Sequence, residues 1–355
     1  MEMAETMKAL VLTGKEQAEY RDVEKPSCPE DGMILKIEAV GLCGSDVRTY
    51  LHGHSKVKYP AIIGHENAGT ITEIGSRVTA GWKTGDRVIV NPAIPCGKCW
   101  YCKHDTISGL CEVLSVYGND IPGGFAQYMQ IPGVGIERGQ ILRIPDGIPF
   151  DEIIIVELLA SVIKAQAQLR VSLGETVVII GTGPIGCLHA QIAKLRGAST
   201  IVLAGRNQER LNLAGRFGAT HLVNSASEDL VKKVKELTGG RGADAVIVAA
   251  PSAEPHQQGL EMLRKEGRLS LFGGLDKENP WSRVDANLIH YNRLEIRGAY
   301  SYSFADFLQG FELVAAGRID KEIVTHKLPL ADMPEGVRLI QAGKAIKVVL
   351  KPWME

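Results

Sequence analysis

Four cysteines stand close together in Cys96-Gly97-Lys98-Cys99-Trp100-Tyr101-Cys102 and the nearby Cys111. Two overlapping C-x2-C units with a fourth thiol match a four-thiolate zinc cage, the closed tetrahedral type that ties down a loop and does no chemistry. A second set is Gly41-Leu42-Cys43-Gly44-Ser45-Asp46 with Gly64-His65-Glu66. It offers a thiolate, an imidazole, two carboxylates and a hydroxyl two residues beyond the cysteine. Cysteine and histidine suit the borderline-soft Zn²⁺, and a catalytic zinc site uses three protein ligands and leaves one position open. We read Cys43 and His65 as two such ligands. Taken singly, Cys43 reads better as a small buried hydrophobe and His65 as a turn residue. The rest of the chain overturns that reading.

A third signal is Gly181-Thr182-Gly183-Pro184-Ile185-Gly186, directly after the apolar run Val177-Val178-Ile179-Ile180 and before a helical pattern. A lone G-x-G-x-x-G is weak, but in a strand, turn and helix setting each glycine has a role. Gly181 allows the tight turn, Gly183 lets a pyrophosphate approach the backbone, and Gly186 permits close helix packing. The helix N-terminus beginning at Pro184 and Ile185 attracts the phosphates. A glycine turn that binds nothing is the competing reading.

The elements that must position these groups fall into two patterns. Residues 7–13, 33–40, 68–74, 86–91 and 125–131 are short β-branched runs separated by Gly, Pro and Asp, which predicts a compact, barrel-like β-domain without helices. Residues 153–169 have helical length and no internal Gly or Pro. Strand candidates at 176–180, 200–204, 221–224, 243–249 and 268–272 then alternate with helix candidates at 186–196, 207–217, 227–237 and 254–263. That alternation predicts a parallel sheet covered on both faces, with 294–299 as a further edge strand. The tail, 304–352, holds one or two helices and ends in Ile346-Lys347-Val348-Val349-Leu350, a strand that needs a sheet to join.

Composition narrows the class. At 355 residues the chain has room for two domains, and 45% apolar and 23% charged residues with a net charge of -1 describe an ordinary soluble protein. Nothing is basic enough to favour nucleic acid or an anionic membrane, and no apolar run reaches the ~20 residues of a membrane helix. The acidic start, residues 1–6, reads as a loose extension without signal-peptide features, so a cytoplasmic protein is expected. Seven cysteines, four of them clustered, argue for metal in a reducing compartment rather than for disulfides.

Together these residues resemble the zinc-dependent medium-chain dehydrogenase/reductase family, whose members include alcohol, sorbitol and threonine dehydrogenases, over residues 7–352. The resemblance rests on the segments quoted above, on Gly123-Gly124-Phe125-Ala126-Gln127-Tyr128 and on the closing Gly343-Lys344-Ala345-Ile346-Lys347-Val348. It implies an α/β protein. A GroES-like β-rich catalytic domain (1–155 and 297–355) would carry the structural zinc lobe at about 92–112, and a Rossmann doubly wound parallel sheet domain would span 156–296. By the same resemblance, Glu157 looks like the third catalytic-zinc ligand or a carboxylate just beyond it. Glu66 is similar to a carboxylate that swaps onto the zinc, and Asp46 to the partner that orients His65. Cys43, Ser45, His65 and Glu157 form the expected catalytic set, and the family implies a homo-oligomer, dimer or tetramer.

Three departures stand out. Cys111 lies one residue later than the family's usual spacing, so the lobe's loop is expected to bulge. Arg48 occupies the position where many members carry a proton-relay histidine, and arginine cannot act as a base at working pH. Ser45 must then pass its proton to the cofactor ribose, water or His52. Ser301 stands where sorbitol-type members carry a substrate-contacting arginine.

The expectation is therefore a zinc-dependent oxidoreductase that moves a hydride between a secondary alcohol, a polyol or sugar derivative, and a nicotinamide cofactor. Two Zn²⁺ per chain are expected. The second Rossmann strand ends in Gly205-Arg206-Asn207 without the acid that NAD-binding units use on the ribose. Arg206, with Arg210 one turn into the next helix, suits a phosphate, so NADP(H) is expected over NAD(H). A threonine-type or simple secondary alcohol is the alternative substrate, and a zinc-stabilised dinucleotide sensor the alternative class. Tyr50, Tyr117 and Tyr300 are pocket candidates that could equally be core aromatics.

Overall fold

The computed structural model describes residues 5–79, 81–104 and 108–355. The chain divides into two compact units, Met1–Glu157 with Ser303–Glu355, and Leu158–Tyr302.

In the second unit six parallel strands lie in the order His221–Asn224, Thr200–Gly205, Thr176–Ile180, Ala243–Val248, Leu263–Leu271, Glu295–Gly298. In chain order this is 3-2-1-4-5-6, the doubly wound topology whose ligand crevice opens where the strand order reverses. Every residue of Thr176–Ile180 and Ala243–Val248 is buried. That explains their unbroken apolar runs, since strands covered on both faces do not alternate. Each fully buried Val or Ile there contributes about 1.5–3 kcal/mol.

In the first unit the strand Met33–Leu42 is central. It pairs antiparallel with Glu66–Ile74, with Tyr128–Ile131 and with the C-terminal strand Lys347–Lys351. Two registers matter for chemistry: Gly41 lies opposite Glu66, and Leu42 opposite Val348. The inward side chains, among them Leu35, Ile37, Val40, Leu42, Val88, Val348 and Leu350, form one core cluster.

The structure corrects several expectations. The β-rich part is not free of helices, because Gly44–His52 is helical. Its apolar positions are few, Val47 and Leu51 at i,i+4 spacing, so periodicity gave little signal; the Asp46 carboxylate accepting the Cys43 N–H starts it instead. The hairpin strand Gln17–Glu24 is almost wholly exposed and polar, which hid it from a search for apolar runs. The helix expected at 153–169 runs Val156–Gln168, with a separate short helix, Phe150–Ile153, before it. Of the expected N-terminal extension, residues 1–4 lie outside the described residues. Thr6 already belongs to the strand Thr6–Gly14, and Glu5 pairs with Lys25 at 3.0 Å. Among the described residues no helix is long and apolar enough to cross a membrane.

Candidate functional site

Cys43 is the residue before the helix Gly44–His52, and Glu66 opens the strand paired with Met33–Leu42, with His65 just before it. This register brings a ligand atom of Cys43, His65 and Glu66 within 4.8 Å of one another. Asp46 holds two of the three. One carboxylate oxygen accepts the Cys43 N–H at 2.9 Å, and the other lies 3.3 Å from His65 Nδ1. His65 Nε2 is thereby aimed towards the thiol and lies 3.5 Å from Ser45 Oγ. Burial disfavours a charged His65, but the neighbouring Asp46 and Cys43 outweigh it and hold the imidazole pKa well above its usual value.

Glu66 is the unexpected member. Its buried carboxylate accepts a hydrogen bond from Lys347 Nζ at 2.7 Å through Oε1, and Oε2 lies 2.5 Å from the same nitrogen. Lys347 Nζ also donates to the Leu42 carbonyl at 3.1 Å. Burial opposes the lysine's charge, yet Glu66 raises its pKa overall. Sequence reasoning missed Lys347, although a lone lysine in Ile346-Lys347-Val348-Val349-Leu350 was a visible signal.

Glu157 opens the helix Val156–Gln168, half-buried, and lies outside the group formed by Cys43, His65 and Glu66. Arg48 and His52 are exposed on the helix Gly44–His52. Of the aromatic pocket candidates, Tyr117 is a core residue, the Tyr50 hydroxyl donates to the Glu16 carbonyl at 3.1 Å, and Tyr300 is exposed. Ser301 adopts a left-handed backbone with φ 60°.

The cysteine lobe is a separate cluster in the same unit. Ligand atoms of Cys96, Cys99, Cys102 and Cys111 all lie within 4.8 Å of one another. Cys96 and Cys102 sulfurs are 3.9 Å apart, and those of Cys99 and Cys111 4.0 Å. The edge of a tetrahedron built on Zn–S bonds of about 2.3 Å is about 3.8 Å, whereas a disulfide would need about 2.05 Å. All seven cysteines are free thiols. Backbone N–H groups of Lys98 and Cys99 lower the Cys96 pKa to about 6, while burial pushes Cys102 up to about 12. The expected bulge before Cys111 includes residues 105–107, which lie outside the described residues.

In the second unit the glycine turn lies between the strand Thr176–Ile180 and a helix. Gly183 precedes the helix Pro184–Leu195, and proline in its first turn costs no hydrogen bond. A Cβ on Gly186 would stand 1.9 Å from the Gly181 carbonyl oxygen, so only glycine lets this helix start so close to the strand. Beside the turn is a cavity of about 440 Å³ whose walls include Gly181, Thr182, Gly205, Arg206, Asn207 and Arg210. Asn207 caps the next helix by accepting the Arg210 N–H at 2.9 Å. The Arg210 guanidinium reaches back over the glycine turn, 3.5 Å from where a Gly183 Cβ would be, and burial lowers its pKa. Thr182 was missed as a wall residue; its Cγ2 would lie 2.5 Å from a Cβ on Gly205.

Comparison with known proteins agrees with this geometry. Residues 29–146 match the alcohol dehydrogenase GroES-like domain and residues 184–316 the zinc-binding dehydrogenase family. The chain is 30% identical over 354 residues to a sorbitol dehydrogenase of Bacillus subtilis, covering 98% of each. It is 32% identical to an L-threonine 3-dehydrogenase of Caldanaerobacter subterraneus, covering 95% of this chain and 96% of that one. A crystal structure of a zinc-binding dehydrogenase from Sinorhizobium meliloti bound to NADP superposes with a TM-score of 0.90 at 29% identity, covering 98% of this chain and 100% of that one.

Proposed function

The chain belongs to the zinc-dependent medium-chain dehydrogenase/reductase family, and we propose that it interconverts a polyol or sugar-derived secondary alcohol with its ketone, using NADP(H) in preference to NAD(H). The observation that carries the reading is the convergence of Cys43, His65 and Glu66 within 4.8 Å, with Ser45 Oγ beside His65. The donor set fits zinc: a thiol, an imidazole fixed through its other nitrogen by Asp46, and a buried carboxylate.

Cys43 and His65 would hold the catalytic zinc with a carboxylate from Glu66 or Glu157, and the four-cysteine lobe would hold a second, structural zinc. When bound, the catalytic zinc supplies Lewis acidity that lowers the pKa of a substrate hydroxyl, and the nicotinamide supplies the hydride acceptor. Asp46 keeps the His65 ring in one orientation and one tautomer. Ser45 accepts the hydrogen bond of the substrate hydroxyl and is the first group to take its proton. Arg48 cannot relay that proton, so it leaves Ser45 through water, a ribose hydroxyl or His52. Gly181, Gly183, Pro184, Ile185 and Gly186 set the turn that receives the pyrophosphate, while Arg206 and Arg210 favour a ribose phosphate.

The relatives support a polyol, and the threonine dehydrogenase keeps a hydroxy amino acid as the competing substrate. A panel of hexitols, pentitols, inositols, threonine and short secondary alcohols, followed by absorbance of reduced nicotinamide, tests both. Turnover of none of them would leave the dinucleotide sensor as the better reading. We place the protein in the cytoplasm, a reading its free thiols support, and as a homo-oligomer, which light scattering after gel filtration would test.

A further inference from the structure

We propose that the alcohol oxidised at this site carries a phosphate monoester on the carbon beside the reacting carbinol, and that Arg48, with His52 behind it, is the specificity-determining residue that holds the ester. This rests on the assignment of Cys43, Ser45 and His65 to the reacting centre given above. The helix Gly44–His52 turns once in about 3.6 residues, so Ser45, Arg48 and His52 share one face. With Gly44 they are its exposed residues, while Asp46, Val47 and Thr49 are buried. That face starts at the reacting centre, because Ser45 Oγ lies 3.5 Å from His65 Nε2. Arg48 follows one turn later, at a rise of about 4.5 Å, and His52 at about 10.5 Å.

The donors on this face are not spent within the unit. Among the described residues the Arg48 and His52 side chains form no hydrogen bond or ion pair. Asp46, the one acid of the helix, is committed to the Cys43 N–H and to His65. Asp120 pairs with Lys56 at 3.6 Å, and Glu16 meets the helix at Tyr50, about 200° around the axis from Arg48. An arginine that served only the helix dipole would stand in the last turn, whereas Arg48 stands mid-helix, one turn from Ser45. A neutral polyol offers the guanidinium an ordinary hydrogen bond. A phosphate offers a dianion with three acceptor oxygens, which the guanidinium fork meets bidentately, with an imidazole N–H as a further donor. A carboxylate, with two oxygens, would use Arg48 alone. The redox step is unchanged: the carbinol carbon gives a hydride to the nicotinamide, its hydroxyl gives a proton through Ser45, and the phosphate ester stays intact.

The test uses the full zinc-loaded chain and two readouts, kcat/KM with NADP⁺ and calorimetric binding to the NADPH-filled protein. Hexitol 1-phosphates, their parent hexitols and the matching aldonates are compared in wild type, Arg48→Gln, Arg48→Lys and His52→Gln. Both residues are exposed, so the variants should keep the fold. Wild type should favour the phosphate over its parent hexitol at least ~10-fold in both readouts, and added salt should reduce that preference. Arg48→Gln should remove most of the preference, Arg48→Lys should recover part of it, and His52→Gln should lower it by a smaller factor. Parent hexitols equal to their phosphates, an aldonate ahead of the phosphate, or a preference unmoved in Arg48→Gln overturns the proposal alone. So does an Arg48→Gln variant that weakens NADPH binding instead, which would assign the guanidinium to the cofactor. Absence of turnover with every phosphate and every hexitol overturns the polyol-oxidising reading together with it.

Discussion

Asp46 serves two functions with one side chain: it starts the helix Gly44–His52 by accepting the Cys43 N–H, and it fixes the His65 ring. Both are lost in different degree when one oxygen becomes an amide. Asp46→Asn should therefore bind the catalytic metal or turn over about 10–100-fold less well, the usual effect of removing the group that orients a metal-bound histidine. Metal analysis and kcat/KM measure it, and a variant within twofold of wild type would remove Asp46 from the site. At this scale residue type and spacing carried much of the information. Cys43, His65 and the four lobe cysteines were legible because metal chemistry restricts which side chains can serve, and Asp46 was legible through the family resemblance. Lys347 and Thr182 were not, because their roles depend on neighbours far along the chain or on a contact across the glycine turn.

Elements were legible where burial imposes a period. The six parallel strands of the second unit were read within a few residues, whereas the exposed strand Gln17–Glu24 and the short helices Gly44–His52 and Ala286–Asn292 were not. In the proposed reading the cysteine lobe is held by a metal rather than by a core. Cys99→Ser should release one zinc and expose residues around 96–111 to proteolysis, since a structural zinc site contributes folding free energy directly. Resistance equal to wild type would show that the lobe folds without the cage. A different tie joins the strands Arg87–Val90 and Ile141–Arg143, where Arg143 pairs with Asp86 at 2.7 Å and lowers the carboxylate's pKa below the ordinary 3.8. A depressed folded-state pKa contributes stability that is complete above the unfolded value and is lost as pH falls through the folded one. The stability gap between wild type and Asp86→Asn should accordingly be constant from pH 7 to about 5 and shrink below about pH 4 in denaturant titrations. A gap that persists unchanged at the acid limit would assign the effect to packing.

For the molecule as a whole, the proposed function divides the labour between the two units, metal in the first and cofactor in the second, and each can be tested by itself. Cofactor choice belongs to the second unit. Gly205 lacks the acidic side chain, and Thr182 already fills the space that such a side chain would enter. Gly205→Asp with Arg206→Ile should lower kcat/KM for NADP by at least ~10-fold, on loss of a charge-assisted phosphate contact. Full reversal towards NAD should require Thr182→Ala as well. A wild type that favours NAD tenfold at one ionic strength would show that Arg206 does not meet the ribose. Whether Cys43 and His65 hold the metal at which an alcohol is oxidised is decided by metal content and alcohol-dependent NADP⁺ reduction, measured side by side in wild type and Cys43→Ser. Wild type should hold two zinc ions and turn over a secondary alcohol, whereas the variant should hold one zinc, keep its fold and show no turnover. Two zinc ions and full activity in Cys43→Ser would contradict it.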